Sequence, residues 1–292
     1  MIIKFLSHQL GQKHINQTFF YGEEFVKKTG INFVYESDNG ALDLAKKALE
    51  KCNKNEIQDC DVLIHVTQSE IYALPNDASF LQDSSGITKQ SLCFTINQGC
   101  SGFVQALALA NSLIETYHYK KILIVTADSY RKYCDKNDRS TSALFSDAAS
   151  VVLVLNEKGY SVDKFINFSD GNGAKFLYKK NNQGDSIYMN GLEIYNFVVK
   201  EVISNIIKKN ICEKNFENNS KFYIHQASQF VLNEIYKYIP EKLCPTNLAI
   251  FGNTVSTTIP LLIKDNPFES NEIHLLGFGV GLSASYMRLV RD

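Results

Sequence analysis

Cys100 lies in the segment Asn-Gln-Gly-Cys-Ser-Gly-Phe, between a predicted strand and a predicted helix. The flanking Gly99 and Gly102 permit a tight turn and a close approach of backbone. A thiol at a helix N-terminus meets unpaired N–H groups and the positive end of the helix dipole, and both favour the thiolate and lower its pKa. The segment therefore offers Cys100 as a nucleophile, with a buried structural cysteine as the alternative that it leaves open.

Two further polar residues follow predicted strands. His225 stands in Tyr-Ile-His-Gln-Ala-Ser, and Asn253 follows Gly252 in Phe-Gly-Asn-Thr-Val-Ser. Taken singly, a histidine is usually structural, and asparagine beside glycine is common in turns. Together, a neutral imidazole and an amide can direct two N–H donors at one oxygen. Such a pair suits the enolate of a thioester, which a single donor would stabilise poorly.

These residues need a scaffold of alternating strands and helices. Helix-spaced apolar residues occur at 40–52 and 193–211, with charged residues opposite them. Short apolar and β-branched runs predict strands between the helices. The predicted strands are residues 62–66, 92–96, 122–126, 151–155, 222–224, 248–251 and 273–276. The alternation indicates an α/β sheet fold.

The helix predicted at 102–114 differs from the others because it is apolar on almost every side. Such a helix is expected to be buried all round, as it would be between two sheets. The order strand, strand, glycine turn, helix and strand also occurs twice along the chain. The turn holds Cys100 in the first copy and Asn253 in the second. This weak repeat suggests two related halves.

Composition limits the classes of partner. The chain has 292 residues, 45% of them hydrophobic, and its 30 basic and 31 acidic residues give a net charge of -1. That balance provides no strong field for a nucleic acid or a membrane surface. No apolar run is long enough for a membrane span or a secretory signal, so the cytoplasm is the expected location.

The cysteine pattern agrees with a reducing compartment. There are seven cysteines, an odd number, and no Cys-x-x-Cys pair. Most are expected to be small buried hydrophobic residues, although one of them can be a nucleophile. The seven are Cys52, Cys60, Cys93, Cys100, Cys134, Cys212 and Cys244.

Eight segments resemble, in order, the motifs of the β-ketoacyl-acyl carrier protein synthase III family. Four surround the polar residues above: 96–107, 224–228, 251–260 and 275–289. The other four are 26–31, 72–82, 143–155 and 186–198. The resemblance extends from about Glu23 to the C-terminus. It implies the thiolase fold, five αβαβα layers built from two related halves, here residues 1–156 with the cysteine and 157–292 with the histidine and asparagine. It also implies a homodimer.

The resemblance assigns roles to individual residues. Cys100 corresponds to the acylated nucleophile, and His225 and Asn253 correspond to the pair that binds the thioester carbonyl of the extender. The backbone N–H groups of Cys100 and Val280 correspond to the oxyanion hole. The residues that align with the walls of the acyl pocket are Leu74, from the partner subunit, Phe145 and Ile187.

The implied reaction is a ping-pong condensation. Cys100 takes an acyl group from a thioester of acyl carrier protein or coenzyme A. Malonyl-carrier protein then loses CO2 and attacks the acyl group, which gives a β-ketoacyl thioester of fatty acid or polyketide biosynthesis. The resemblance implies no metal and no bound organic cofactor.

The chain departs from the family pattern at the sites of substrate contact. Glu24 stands where a tryptophan is common, and Lys28 stands where an arginine flanks the adenine of coenzyme A. Stacking and cation–π contacts with adenine would be lost, which favours a carrier protein as donor. Phe230 replaces a common basic docking residue, and Val280 replaces a glycine.

Two other functions are compatible with these residues. The first is an acyltransferase on the same scaffold that moves the acyl group from Cys100 to an amine or hydroxyl. The second is a non-catalytic subunit of a hetero-complex. The intact pair of His225 and Asn253 favours condensation, because transfer to an amine needs no enolate site.

Overall fold

The computed structural model describes residues 1–180, 184–211 and 219–292. Its longer strands form two mixed sheets. The order in the first sheet is Ile2–Leu10, Ala148–Leu155, Lys121–Asp128, Val62–Val66 and Leu92–Ile96. The order in the second sheet is Ser220–Ile224, Glu272–Gly279, Ser283–Arg291 and Tyr160–Ser169.

Six of the seven predicted strands are confirmed. The seventh prediction, at 248–251, is wrong, because Leu248–Phe251 is a helical turn. In that turn Leu248 and Phe251 are buried while Ile250 is 54% exposed. Burial at positions i and i+3 is the period of a helix, and four apolar residues in sequence cannot distinguish it from a strand. In the two main sheets, the strands that the patterns missed are Ile2–Leu10, Tyr160–Ser169 and Ser283–Arg291.

Helices lie between the two sheets and outside both of them. The helices Gly102–Tyr117 and Thr258–Asp265 share one apolar core with strands of both sheets. A second core joins the first sheet to Ala41–Glu50 and Asp77–Ser85. A third core joins the second sheet to the outer helices Gly191–Phe197, Val198–Lys208 and Gln229–Tyr236. The predicted five layers, αβαβα, are therefore observed.

The helix predicted to be buried, at 102–114, and the helix predicted to be amphipathic, at 193–211, differ in their surroundings. The helix Gly102–Tyr117 occupies the predicted central layer, but the expectation of burial all round is wrong for the single chain, since Leu109 is 36% exposed. The prediction of an amphipathic outer helix at 193–211 is confirmed. It begins as the α-helix Gly191–Phe197 and continues as the π-helix Val198–Lys208, whose buried face is apolar.

The two sheets repeat one pattern of pairing. In the first sheet, Val62–Val66 runs parallel to Lys121–Asp128, which is antiparallel to Ala148–Leu155. In the second sheet, Ser220–Ile224 runs parallel to Glu272–Gly279, which is antiparallel to the strand that follows it. The strand Leu92–Ile96 has no counterpart in the second sheet. Cys100 follows this additional strand, and His225 follows the parallel strand Ser220–Ile224, so each half contributes one of the two residues from the end of a parallel strand.

The remaining elements are short. Two further strand pairs are Lys13–Asn16 with Phe33–Glu36, and Leu177–Tyr178 with Tyr188–Met189. The other helical segments are Gln17–Tyr21, Glu23–Thr29, Lys54–Ile57, Arg131–Tyr133, Arg139–Ser142, Gly171–Phe176, Glu241–Leu243, Leu248–Phe251 and Val255–Thr257. Among the described residues, no helix is long and apolar enough to cross a membrane. Six of the seven cysteines are free, and Cys212 lies outside the described residues.

Candidate active site

Cys100 lies in the turn between the strand Leu92–Ile96 and the central helix Gly102–Tyr117. The backbone of the second sheet lies close to Cys100 at Gly277 and Gly279. A Cβ at Gly279 would lie 2.9 Å from Cys100 Sγ, and a Cβ at Gly277 would lie 2.6 Å from the Cys100 carbonyl oxygen. Because any side chain at these two positions would collide with Cys100, the glycines allow the two halves to meet at the thiol.

Two backbone N–H groups converge on Cys100 Sγ. The backbone N–H groups of Cys100 and Val280 act on the sulfur and lower the pKa of the thiol, which favours the thiolate. Val280 is not among the described non-glycine residues with positive φ, so valine fits where the family pattern has glycine. A thioester carbonyl at the sulfur would meet the same two N–H groups, and the assignment of Cys100 and Val280 to an oxyanion hole stays a prediction.

Burial nevertheless raises the pKa of the Cys100 thiol well above its ordinary value. The charge of Asp128 raises it further, and the two N–H groups do not offset these effects. The expectation that the helix N-terminus lowers this pKa is therefore wrong for the unliganded chain. The physical reason is that desolvation of a thiolate outweighs two hydrogen bonds. The resting thiol is protonated.

His225 follows the strand Ser220–Ile224 and is buried. Its backbone N–H donates to the Leu276 carbonyl at 2.8 Å, which ties the turn to the neighbouring strand. Its Nδ1 lies 2.7 Å from Thr258 Oγ1. Burial lowers the pKa of His225 to about 3, so the imidazole is neutral at physiological pH. The neutral ring carries one N–H group and can donate one hydrogen bond from it.

Asn253 lies after the helical turn Leu248–Phe251 and contacts the first half of the chain. Its backbone N–H donates to the Leu144 carbonyl at 3.0 Å, and its carbonyl accepts from Ser146 N–H at 2.9 Å. Its side-chain Oδ1 accepts a hydrogen bond from Val255 N–H at 3.0 Å. Because the oxygen is engaged by the backbone, the amide N–H groups remain as the donors for a ligand.

A cavity of about 380 Å³ joins the three residues. Cys100, His225 and Asn253 line it together. The rest of its wall is largely apolar, and the lining includes Leu144, Phe145, Leu177, Met189, Ile194, Val198 and Phe278. The structure thus brings the predicted nucleophile and the two predicted donors to one largely apolar cavity, where hydrogen bonds to a developing charge are stronger than in water.

The predicted acyl-pocket residues fall into two groups. Phe145 lines the cavity of Cys100, and Ile187 lines a second cavity of about 760 Å³ that Val280 also borders. Phe145 and Ile187 both belong to the apolar cluster around Cys100. Leu74 is 88% exposed and lines neither cavity of its own chain. Its contribution to a partner's pocket stays a prediction.

Sequence reasoning missed two side chains that organise the site. Asp128, at the end of Lys121–Asp128, accepts hydrogen bonds from the backbone N–H groups of Gln68 and Ser256, at 2.8 and 3.2 Å. Burial raises the pKa of Asp128 to about 6. Thr258, the partner of His225, opens the helix Thr258–Asp265. Asp128 could have been noticed in the sequence, because it is a charged residue at the end of an apolar strand. Nothing in the sequence around Thr258 indicated its contact with His225.

Comparison with known proteins agrees with this geometry. Residues 94–171 match the family model described as 3-oxoacyl-(acyl-carrier-protein) synthase III. The beta-ketoacyl-(acyl-carrier-protein) synthase III of Porphyra umbilicalis is 33% identical in an alignment that covers 83% of this chain and 81% of the relative. The enzyme of the same name from Streptococcus uberis is 30% identical, with 88% of this chain and 86% of the relative covered. The chain belongs to the β-ketoacyl-acyl carrier protein synthase III family.

Solved structures agree with that membership. A 3-oxoacyl-(acyl-carrier protein) synthase from Burkholderia xenovorans superposes with a TM-score of 0.88 at 29% identity, over all of this chain and 95% of that one. The two sheets and five layers are the thiolase fold of the synthase III family, as the sequence motifs implied. Family membership makes the chain a condensing enzyme of the acyltransferase type.

Proposed function

We propose that the chain loads an acyl group on Cys100 and condenses it with malonyl-carrier protein. The observation that carries this proposal is the convergence of Cys100, His225 and Asn253 on one apolar cavity. The nucleophile and two neutral N–H donors are the groups that a decarboxylative condensation requires.

In the first half-reaction, Cys100 Sγ attacks the carbonyl carbon of an acyl thioester. The N–H groups of Cys100 and Val280, which reach the sulfur, hold the carbonyl oxygen as it becomes negative. The bond to the carrier sulfur then breaks. Cys100 loses one proton and the released carrier thiol gains one, so the step is balanced. Acyl-Cys100, like the resting thiol, carries no charge, so the burial that disfavours the thiolate does not disfavour the acyl-enzyme.

In the second half-reaction, the malonyl thioester binds with its carbonyl oxygen between His225 and Asn253. Its C–C bond to the carboxylate breaks, CO2 leaves, and the electron pair forms an enolate whose oxygen the two donors stabilise. The enolate carbon attacks acyl-Cys100, and the Cys100 thiolate leaves. The orientation of the Asn253 amide by Val255 N–H supports this role, because its donors need no reorganisation.

The same pair of donors supports condensation over transfer to an amine or hydroxyl. An amine attacks acyl-Cys100 directly and forms no enolate, so such a transferase has no use for two aimed donors opposite the sulfur. An interaction-only subunit has no use for the thiol. Neither alternative is favoured by a particular contact in the structure.

The arm of the carrier is proposed to reach Cys100 past Leu192 and Phe230. Both side chains line the cavity that contains Cys100, and both are more than half exposed, so they stand where the cavity opens to solvent. Phe230 stacks on Tyr195 with ring centroids 4.9 Å apart. An apolar opening suits a neutral pantetheine arm, and the acidic body of a carrier would dock on basic residues beyond it.

The chain is proposed to act as a homodimer. The strand Leu92–Ile96 is the edge of the first sheet, with Leu92 exposed, and an edge strand can pair with a second copy. Leu74 and Leu109 are also exposed apolar residues of the first half.

We further propose that the chain divides into two halves between residues 156 and 157. The six free cysteines support the cytoplasm as the site of action.

The experiment is a product analysis with purified protein, malonyl-carrier protein and a panel of acyl-carrier and acyl-coenzyme A donors. The expected product is a β-ketoacyl-carrier two carbons longer than the donor acyl group. Cys100→Ser should give neither acyl-enzyme nor product, while Cys93→Ser, at the sheet edge, should behave as the wild type. Acylation of Cys93 in place of Cys100, or an acylated amine as the only product, would overturn the proposal.

A further inference from the structure

The hydroxyl of Thr258 has one proton and two acceptors within reach. Thr258 Oγ1 lies 2.7 Å from His225 Nδ1 and 3.2 Å from the Val255 carbonyl oxygen. Thr258 is buried, so these neighbours decide where its proton lies. A hydroxyl donates only one hydrogen bond, so donation to one acceptor excludes donation to the other.

The choice between the two acceptors fixes the tautomer of His225. If Thr258 donates to Nδ1, that nitrogen carries no hydrogen and the proton of the neutral ring is on Nε2. If Thr258 donates to the Val255 carbonyl, its oxygen accepts from Nδ1–H and Nε2 is bare. Because Nδ1 is occupied by Thr258, Nε2 is the ring nitrogen left for a ligand in the cavity. Only the first arrangement makes that nitrogen a donor.

One short segment also orients the second donor. Val255 has φ of +54°, a strained conformation for a β-branched residue. In this conformation its N–H donates to Asn253 Oδ1 at 3.0 Å, and its carbonyl faces Thr258. Residues 253–258 therefore hold the oxygen of Asn253 away from a ligand and place a hydroxyl on Nδ1 of His225. The segment thus leaves the amide N–H groups of Asn253 and the Nε2 atom of His225 for the cavity.

We propose that Thr258 is a positioning residue that donates its hydroxyl proton to His225 Nδ1 and so keeps the proton of the neutral imidazole on Nε2. The inference rests on the proposed function, since the enolate is the species that needs the Nε2–H donor. The 2.7 Å contact with the ring is present in both arrangements, but the 3.2 Å contact with the Val255 carbonyl is longer than a usual O–H···O hydrogen bond. That length disfavours donation to Val255 and favours donation to the ring. Thr258 acts through His225 and contacts no reacting atom.

The adjacent Thr257 provides a matched control. Thr257 is fully buried, and its hydroxyl contacts Thr126 Oγ1 at 2.8 Å and the Ala148 carbonyl at 3.4 Å, not His225. Thr257→Val therefore removes a buried hydroxyl from the same segment and leaves the ring untouched. Thr258→Val removes the proposed donor at nearly constant volume, and Thr258→Ser keeps it.

The first test separates the half-reactions in the four proteins. Acyl loading of Cys100 is measured by intact mass, and CO2 release is measured with malonyl-carrier protein. Thr258→Val should load at a rate within about threefold of the wild type but release CO2 at least about tenfold more slowly, towards the 10²–10³-fold loss of a missing donor. Thr258→Ser should restore CO2 release, and Thr257→Val should slow both steps alike or neither. Normal CO2 release by Thr258→Val, or equal loss of both steps, would overturn the inference.

The second test reads the tautomer directly and needs no activity. ¹⁵N NMR of histidine-labelled wild type should show an unprotonated Nδ1 and a protonated Nε2 for His225, assigned by their loss in His225→Ala. A protonated Nδ1 would contradict the role of Thr258 even if Thr258→Val fails to fold. If the wild type releases no CO2 from malonyl-carrier protein, the proposed function fails, while the tautomer still decides this inference.

Discussion

The side-chain oxygen of Asn253 accepts a hydrogen bond from the backbone N–H of Val255 at 3.0 Å, which leaves the amide N–H groups for the cavity of Cys100. The backbone thus decides which end of this amide a ligand meets. An asparagine held in this way offers a ligand only its N–H donors, as the proposed second half-reaction requires.

Loss of either donor should affect one half-reaction. Asn253→Ala and His225→Ala should still acquire an acyl group on Cys100, because the proposed oxyanion hole consists of backbone N–H groups. Both should release CO2 from malonyl-carrier protein about 10²–10³-fold more slowly, the cost of one lost donor. Asn247→Ala is the matched control, since Asn247 is also buried but bonds to Asp265, which does not line the cavity. Equal losses of loading and decarboxylation would contradict the separate roles.

The two half-reactions should differ in pH dependence. The pKa of His225 is lowered to about 3 by burial, so the ring is neutral throughout pH 5–8, and CO2 release should show no inflection there. The pKa of Cys100 is raised by burial, so the thiol is protonated across this range, and the rate of acyl loading should rise with pH. Initial rates of each step over pH 5–8 provide the measurement. An inflection of CO2 release near pH 6.5 that depends on His225 would show that the ring titrates normally.

The sequence predicted Cys100, His225 and Asn253 as site residues because eight motifs occur in the order of the family, and the structure brings the three to one cavity. It also placed six of the nine strands of the two main sheets, four of them from five-residue apolar runs of the kind typical of buried strands. The turn Leu248–Phe251 was predicted as a strand because a run of four apolar residues satisfies both periods. Whether this segment forms a helical turn or a strand depends on which of its side chains the surrounding fold buries, and residue order alone does not show this.

Other features of the site could not be read from residue order. The pKa of Cys100 depends on how much protein surrounds the sulfur, and the sequence showed only the helix N-terminus beside it. Thr258 is one of several threonines in Thr-Val-Ser-Thr-Thr, and only the structure shows that it meets His225. Asp128 likewise gains its role from Gln68 and Ser256, which are distant in sequence.

Leu74 should shape the acyl pocket of the partner subunit. Leu74→Phe should shorten the longest acyl chain accepted, because a bulkier side chain would occupy space that the chain end needs. Hybrid dimers test the direction of the contact. Wild type is mixed with an excess of the double variant Cys100→Ser/Leu74→Phe, so that most wild-type subunits pair with a variant subunit. In such a hybrid the only Cys100 thiol belongs to the wild-type subunit, and residue 74 of its partner carries the substitution. The chain-length profile of the hybrid should match that of Leu74→Phe. An unchanged profile in the hybrids and in Leu74→Phe itself would remove Leu74 from the pocket.

Coenzyme A thioesters should be poorer donors than carrier thioesters. Glu24 and Lys28 are exposed and pair with each other at 2.9 Å, so neither offers a planar surface to adenine. Two lost stacking contacts of about 1 kcal/mol or more each predict a kcat/KM roughly 10–100-fold lower for coenzyme A. The measurement compares one acyl group on both carriers.

A coenzyme A value equal to the carrier value would contradict this prediction. It would point to the rings of Tyr21 and Phe25, whose centroids lie 5.3 Å apart, with Arg139 over Tyr21, as a substitute platform for adenine. Tyr21→Ala and Phe25→Ala would then lower the coenzyme A value selectively.

The most direct test of the central claim is a single turnover of acyl-enzyme with malonyl-carrier protein. Protein acylated on Cys100 is freed of donor and mixed with malonyl-carrier protein, and acyl-Cys100, CO2 and products are counted by mass spectrometry and radiolabel. The account predicts that each acyl group lost from Cys100 appears as one β-ketoacyl-carrier, with one CO2 released. Loss of the acyl group to water, an amine or a hydroxyl without CO2, or CO2 release that leaves acyl-Cys100 unchanged, would contradict it.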